Sequence, residues 1–208
     1  MDQAQLLDAL LARMVADYLE HNRAASTLKT LLDQSGVGFS PIMDHVTIRT
    51  LDIDRGAEPF VKLGYAYDET LQYDDWYAKV FRKVGYPALF VDQAYPGEQG
   101  QTSIIPGWVK KFGDKVLHHV AVRVEDIEQA VARLQEQGIV FAGNIIGERG
   151  GHLRQIFSSP EMVDGQPFSV LELAERHRGY LGFLPPQADS LMKSSTGRYA
   201  PHPMSRST

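Results

Sequence analysis

The spacing of apolar residues divides the chain into an N-terminal helical segment and a longer stretch of strand patterns. Within residues 3–34 the apolar side chains recur every three or four positions, which is the repeat of one face of an α-helix; they are Leu6, Leu7, Leu10, Leu11, Met14 and Tyr18, then Leu28, Leu31 and Leu32. A glycine-containing stretch at 35–38 ends this pattern. We therefore expect a helical segment that packs on a main body.

After this segment the chain changes to short runs of alternating apolar and polar residues, which are typical of half-buried strands. The first part predicts a helix after its first strand, a linker helix at 103–112, and strands at 43–51, 65–73, 76–82 and 87–92. The second part predicts a helix at 126–137 and strands at 117–124, 140–146, 153–158 and 167–174. Each part is therefore expected to follow the order β-α-β-β-β.

The two parts also share sequence. The segment from Asp44 to Ile53 returns 74 residues later as His118 to Ile127, and His45 falls on His119 without a gap. A repeat of this length indicates two copies of one structural module. The repeated residues include a histidine and an arginine that alternate with aliphatic residues, so each module is expected to place polar site residues on one face of its first strand.

The predicted fold class is α+β, with paired βαβββ modules that form a cupped mixed sheet. The expected units are an N-terminal helical segment at 1–40, modules at 41–115 and 116–176, and a C-terminal lid or tail at 177–208. The short linker between the modules favours pairing within one chain. A homodimer is left open.

Composition narrows the class of protein. The net charge of -5 gives no basic surface for nucleic acid, and no apolar run is long enough to cross a membrane. The chain has no cysteine, which excludes disulfides, thiolate metal sites and thiol nucleophiles. A bound metal would therefore use histidine and carboxylate ligands. Without a basic leader at the N-terminus, we expect a cytoplasmic location.

His45 and His119 are the candidate metal ligands, because neutral imidazole is a common ligand of iron, zinc and similar ions. A single histidine on an apolar strand is more often a hydrogen-bonded core residue. Two histidines at equivalent places of a repeat favour metal binding, since duplicated strands bring their side chains together near a pseudo-twofold axis. His118, by strict strand alternation, is expected to face away from His119.

Glu172 is the candidate third ligand. It lies in the otherwise apolar strand 167–174, and an ionised carboxylate buried alone costs several kcal/mol. A metal ion would compensate this charge, and so would an ion pair with Arg49 or Arg123. The two interpretations are compatible if the arginine contacts a ligand residue and not the metal ion itself.

Two histidines and one carboxylate leave three open positions on an octahedral ion, as in non-haem Fe(II) oxygenases. Fe(II), Mn, Ni, Co or Zn would fit these ligands, and the residues alone do not choose among them. A 2-oxo acid could chelate such an ion, and dioxygen could take the last position. Arg49, four residues after His45, could bind the far carboxylate of a diacid, and Gln155 could orient a substrate oxygen. A structural ion pair and a solvent-facing glutamine are the respective alternatives.

These motifs resemble the vicinal oxygen chelate (glyoxalase/dioxygenase) superfamily over residues 42–176. "DHV" at His45, "HHV" at His119 and "VLELAER" at Glu172 are similar to the metal triad of the 4-hydroxyphenylpyruvate dioxygenases, and "LRQIFSSP" places Gln155 on a substrate-side glutamine. The N-terminal helical segment and "MDHVTIRT" resemble the 2-oxoadipate dioxygenase/decarboxylase (hydroxyglutarate synthase) family more closely. That resemblance implies Fe(II), a 2-oxo diacid, and Arg49 at the distal carboxylate.

One departure separates the chain from glyoxalase-type members. The strand Ala88-Leu89-Phe90-Val91 lacks the glutamate that those proteins use as a fourth ligand. The expected function is therefore an Fe(II)-dependent 2-oxo acid dioxygenase/decarboxylase. Two alternatives are a non-oxidative metal-dependent lyase, isomerase or hydrolase, and a non-catalytic small-molecule-binding module of the same fold.

Overall fold

The computed structural model describes residues 2–185, 187, 189, 191 and 192. Its helices are α1 (Gln3–His21), α2 (Arg23–Gln34), α3 (Ile53–Lys62), α4 (Ile105–Phe112) and α5 (Ile127–Glu136). Its strands are β1 (Met43–Arg49), β2 (Ala66–Gln72), β3 (Trp76–Arg82), β4 (Ala88–Ala94), β5 (Val116–Val124), β6 (Phe141–Ile146), β7 (Leu153–Ser158), β8 (Met162–Val163), β9 (Gln166–Pro167) and β10 (Val170–Arg176).

Eight of these strands form one mixed sheet in the order β2-β3-β4-β1-β5-β10-β7-β6. The two module-opening strands, β1 and β5, are central and antiparallel to each other. Each has a parallel strand from its own module on its other side, β4 beside β1 and β10 beside β5. The predicted α+β fold with a cupped mixed sheet is therefore confirmed, and the arrangement is pseudo-twofold about the β1–β5 pair.

The repeat extends to the helix that follows each opening strand. Asp52 caps α3 and Asp126 caps α5, each by accepting a hydrogen bond from the backbone N–H three residues later. Gly64 and Gly138 follow the two helices with φ values of 97° and 78°, a backbone conformation that favours glycine. All four residues keep the 74-residue spacing, so the same local signals build both modules.

The predicted N-terminal helical pattern is two helices, α1 and α2, that meet at Asn22. The Asn22 side chain accepts a hydrogen bond from the N–H of Ala25 and donates one to the Ser169 hydroxyl. It thus caps α2 and joins the helices to the second module. No helix in the described residues is long and apolar enough to span a membrane.

The two faces of the sheet have different roles. Val46 and Ile48 on β1, and Val120 and Val122 on β5, are fully buried in the core between the sheet and the helices. Burying such a side chain stabilises the fold by about 1.5–3 kcal/mol. The alternate residues of both strands face the cup.

The last strand begins later than its apolar pattern predicts. The prediction started it at residue 167, whereas β10 begins at Val170. The preceding residues Gln166–Pro167 pair instead with Met162–Val163 in a small hairpin. Proline lacks the N–H of a central strand, which accounts for the shorter β10.

Candidate metal centre

The centre of the cup is built around one irregularity in each opening strand. The β1–β5 register skips Asp44 between Met43 and His45, and it skips His118 on the partner strand between Leu117 and His119. Such bulges interrupt the alternation of side chains. Asp44 and His118 occupy equivalent repeat positions, so each bulge brings the residue before a candidate ligand alongside that ligand.

His45, His119 and Glu172 lie together in this cup, although 127 positions separate the first from the last in the sequence. One potential ligand atom from each lies within 4.8 Å of the other two, and all three side chains are buried. The Glu172 Oε2 atom lies 3.2 Å from Nε2 of His45 and 3.3 Å from Nε2 of His119. The structure therefore brings together the three residues that the sequence selected.

These separations suit a small divalent ion. Protein ligands bind such ions at about 2.0–2.2 Å, which places neighbouring donors of an octahedral ion roughly 3 Å apart. Both carboxylate-to-imidazole distances are close to that value. Among the described residues, the group of potential ligands contains these three and no fourth. The chemistry of the donor set thus fits a divalent metal with open positions for a ligand.

Asp44 holds the first histidine from behind. Its Oδ2 atom lies 2.9 Å from Nδ1 of His45, which leaves Nε2 directed at Glu172. Arg176 donates to both Asp44 oxygens at 2.7 and 2.8 Å, and Arg123 donates to Oδ1 at 2.8 Å. A carboxylate that accepts from a ligand histidine fixes the tautomer and orientation of the ring.

The charges of this group change its acid–base behaviour. Burial opposes the charged form of His45, but the Glu172 charge and the hydrogen bond with Asp44 outweigh it and raise the pKa of His45 to about 9. For Asp44, burial is likewise outweighed by hydrogen bonds with His45 and Arg176, which hold its pKa well below the usual range. The metal-free protein therefore keeps a positive imidazole between two carboxylates at neutral pH.

The second histidine contacts two neutral side chains besides Glu172. Nε2 of His119 lies 2.8 Å from the Thr47 hydroxyl, and its Nδ1 lies 3.0 Å from Nδ1 of His118. Burial, followed by the positive charges of His45 and Arg49, lowers the pKa of His119 well below its ordinary value. The prediction that His118 faces away from His119 is wrong, because the bulge at His118 turns it into the same cavity.

Glu172 makes no ion pair with an arginine among the described residues. Its outer oxygen, Oε1, accepts a short hydrogen bond from the Gln155 side-chain amide, while Oε2 faces the two histidines. Arg123, one of the predicted alternatives, pairs with Asp44 instead. Gln155 thus contacts the carboxylate of the candidate ligand group directly.

Arg49 lies fully buried near the inner end of the cup. Its guanidinium stacks over the Trp108 ring at 5.1 Å and donates to the Met192 sulfur at 2.9 Å. Its register partner on β4 is Asp92. Burial lowers the pKa of Arg49 to about 10 against the opposing effect of Asp92, and burial raises the pKa of Asp92 to about 7.

The cavity above the three candidate ligands is small and largely apolar. Its volume is about 40 Å³, which is room for a few water molecules. Its walls include Phe90, Phe157 and Phe183, and Leu191 and Met192 cover it from the C-terminal segment. The first part of the region predicted as a lid or tail therefore covers the site, and residues 193–208 lie outside the described residues.

Several functional candidates in the cup escaped sequence reasoning. Asp44 and His118 depend on bulges, which a strictly alternating strand pattern does not predict. Asp92 reaches the cavity from β4 and Tyr73 from the end of β2, and no sequence pattern singled out either residue. Asp44 and His118 had one signal in the sequence, because each directly precedes a candidate ligand at equivalent positions of the repeat.

Comparisons with known proteins agree with this architecture. Similar solved structures include a proposed hydrolase from Shewanella frigidimarina (TM-score 0.72, 20% identity, 86% of this chain and 97% of that chain). A proposed glyoxalase superfamily protein from Ralstonia eutropha gives a TM-score of 0.66 at 14% identity, covering 87% and 86% of the two chains. A mutant of 4-hydroxymandelate synthase from Streptomyces coelicolor gives 0.61 at 18% identity, covering 78% of this chain and 56% of that one.

At these identities the likeness concerns the fold. No curated protein matches the chain significantly. The family model described as "Glyoxalase/Bleomycin resistance protein/Dioxygenase superfamily" matches residues 44–156, more than half of the 208 residues. The match includes both opening strands and the bulges at Asp44 and His118. The chain therefore belongs to the glyoxalase/bleomycin resistance protein/dioxygenase superfamily.

Proposed function

We propose that this protein is a metal-dependent dioxygenase/decarboxylase that acts on a 2-oxo acid, with Fe(II) as its metal. The observation that carries the proposal is the convergence of His45, His119 and Glu172 on one point with no fourth ligand among the described residues. An octahedral ion held this way keeps three positions open. A 2-oxo acid that binds through its carboxylate and keto oxygens, together with dioxygen, requires three.

The charge of the site supports an anionic chelator. A divalent ion with the Glu172 carboxylate carries a net charge of +1, and a 2-oxo carboxylate brings that charge to zero. An uncompensated charge in a buried cavity is costly, so neutralisation favours this class of ligand. Apolar walls at Phe90, Phe157 and Phe183 would surround the open positions.

His45, His119 and Glu172 would hold the ion, and bound Fe(II) would supply the activation of oxygen. Gln155 acts in this proposal as a positioning residue, because its hydrogen bond to the outer oxygen of Glu172 leaves the inner oxygen free for the metal. Asp44 orients His45 in the same way. Arg49 provides a buried cation for the far end of the substrate.

The present cavity is too small for a 2-oxo acid of several carbons. Its 40 Å³ is closed partly by Leu191 and Met192, which belong to the C-terminal segment rather than to the sheet. Substrate binding therefore requires these side chains to move. The sheet residues that hold the metal can stay in place while this happens.

The direct test is anaerobic reconstitution with Fe(II), followed by oxygen uptake and carbon dioxide release with a panel of 2-oxo acids. We expect uptake and release in equal amounts with at least one acid. His45→Ala should abolish both, and the matched change His152→Ala, at an exposed position, should abolish neither. Absence of uptake with every 2-oxo acid contradicts the proposal.

The same panel separates the proposal from its alternatives. Turnover with Mn(II) or Zn(II) under strict exclusion of oxygen would instead identify a lyase, isomerase or hydrolase in which the metal is a Lewis acid. Ligand binding that does not change in His45→Ala would identify a binding module. Dependence of turnover on both Fe(II) and dioxygen supports the dioxygenase.

A further inference from the structure

Three buried polar atoms in or next to the lining of the cavity lack hydrogen-bond partners among the described residues. They are Nε of Arg49, Oδ1 of Asp92 and the hydroxyl of Tyr73. Asp92 and Tyr73 line the cavity, and Arg49 contacts its lining residue Met192. Among the described residues, five buried side-chain atoms lack hydrogen-bond partners, and three of the five are these atoms. Native proteins rarely leave such atoms unpaired, and a group of them indicates an absent water, ion or ligand.

The three residues come from strands or strand ends that face the same cup. Arg49 on β1 and Asp92 on β4 are register partners, so their side chains leave the sheet on one face. Asp92 and Tyr73 both line the cavity that contains the three candidate metal ligands. Burial, followed by the Asp92 charge, raises the pKa of Tyr73.

The fold itself does not satisfy these groups. The acceptor that Arg49 contacts is the Met192 sulfur, and a thioether is a weak acceptor for a guanidinium. No hydrogen bond within the described residues joins Arg49 to Asp92, whose Oδ1 stays unpaired. Met192 thus occupies a place that an oxygen acceptor of a ligand would fill better.

We propose that Arg49, Asp92 and Tyr73 form a subsite for a neutral ligand group with both a hydrogen-bond acceptor and a donor, namely a carboxamide or a hydroxyl. An arginine only donates, an ionised carboxylate only accepts, and a phenol does both. A carboxamide or hydroxyl oxygen satisfies Arg49 while its N–H or O–H satisfies Asp92. Above pH 7, where Asp92 is mostly ionised, a distal carboxylate satisfies Arg49 but places a second negative charge beside Asp92.

This subsite rests on the proposed function, in which the other end of the ligand is a 2-oxo acid that binds the metal. His45 and Arg49 are four residues apart on β1, which is roughly 13 Å along the strand. The long side chain of Arg49 and the histidine ring shorten the distance that a ligand must bridge. The structure thus assigns a 2-oxo acid of several carbons whose far end is an amide or alcohol.

Stable N-oxalyl amides test this discrimination without turnover. Their oxalyl end mimics a 2-oxo acid, and one series ends in carboxamide, hydroxyl, carboxylate or methyl, with one to three methylene groups as spacer. Affinities are measured at pH 8, where Asp92 is mostly ionised, by calorimetry on the full chain loaded with Mn(II) under anaerobic conditions. We expect the carboxamide or hydroxyl to bind on the order of tenfold tighter than the carboxylate and methyl members, the value of one hydrogen bond to a buried charge.

Two variants locate the effect. Asp92→Asn keeps the side-chain volume and offers an N–H, so the carboxylate member should gain affinity and its tenfold disadvantage should largely disappear. Tyr73→Phe should weaken the carboxamide severalfold and leave the methyl member unchanged, because the ring keeps its 3.9 Å stack on Trp76. The exposed matched change Asp74→Asn should alter none of the affinities.

Equal binding of carboxamide, hydroxyl and carboxylate, or an unchanged ratio in folded Asp92→Asn, overturns the subsite. Discrimination without oxygen uptake from any 2-oxo acid supports the subsite and removes the proposed reaction. Oxygen uptake without the Asp92→Asn shift removes the subsite alone. If no member binds to the metal-loaded protein, the subsite is overturned, and oxygen uptake alone decides the proposed reaction.

Discussion

Asp44 is predicted to be the most sensitive residue outside the three candidate ligands, so Asp44→Ala should reduce both stability and metal affinity. Its side chain is 2% exposed and that of its main partner, Arg176, is 4% exposed. Removing one member of a buried ion pair costs about 3–5 kcal/mol, because the other charge stays buried without compensation. For a domain of this size that loss corresponds to a decrease in Tm of roughly 6–20 °C.

Metal affinity should fall with stability, because His45 loses the acceptor that fixes its ring. Loss of such an outer partner typically weakens metal binding by about 10–100-fold. Stability is measured by urea unfolding of the metal-free protein, and metal affinity by competition with a chromophoric chelator. Arg123→Ala is the control, since the Arg123 side chain is 53% exposed and its ion pair should contribute no more than about 1 kcal/mol.

A double variant tests the physical reason. Arg176→Met introduced into Asp44→Ala removes the uncompensated guanidinium and should restore part of the stability, but not the metal affinity. The reasoning is refuted if Asp44→Ala loses less than about 1 kcal/mol and binds metal normally. It is also refuted if the double variant loses, relative to the wild type, the full sum of the losses of the two single variants.

Three further predictions concern the candidate ligands and their surroundings. Glu172→Gln should lower metal content by more than tenfold in elemental analysis, whereas the exposed change Glu136→Gln should leave it unchanged. Because the metal-free pKa of His45 is about 9 and a ligand histidine must be neutral, metal binding near pH 7 should release about one proton, and affinity should rise roughly tenfold per pH unit below 9. Calorimetry in buffers of different ionisation enthalpy measures the number of protons released. Metal binding without proton release would contradict the prediction. The folded-state pKa of Asp92 is raised from 3.8 to about 7, so ionisation of Asp92 destabilises the fold increasingly as pH rises through that range. In urea unfolding, the stability advantage of Asp92→Asn over the wild type should therefore grow between pH 4 and pH 8. A difference that stays constant with pH would disprove this.

Much of the fold was predictable because its signals are local and occur twice. Asp52 and Asp126 begin the equivalent helices, Gly64 and Gly138 end them, and each opening strand alternates clearly enough to define its buried face. The later start of β10 was not predictable from apolar spacing, since the pairing of Gln166–Pro167 with a neighbouring hairpin strand decides it.

The candidate site was predictable only where side-chain direction follows strand alternation. His45 and His119 came from the repeat, and Glu172 from a lone charge in an apolar strand. The bulge residues Asp44 and His118 depend on the β1–β5 register, which no single strand encodes. Leu191 and Met192 close the cavity through contacts between segments distant in sequence. A local sequence pattern does not predict such contacts.

The two bulges also allow the halves of the site to change separately. Each places the residue before a candidate ligand histidine within hydrogen-bonding distance of that histidine, a carboxylate in one module and an imidazole in the other. After duplication, a single codon adjacent to each ligand could therefore set the basicity of that ligand. In a strictly alternating strand the same adjustment would need a residue from another strand, and the two ligands would have been harder to tune independently.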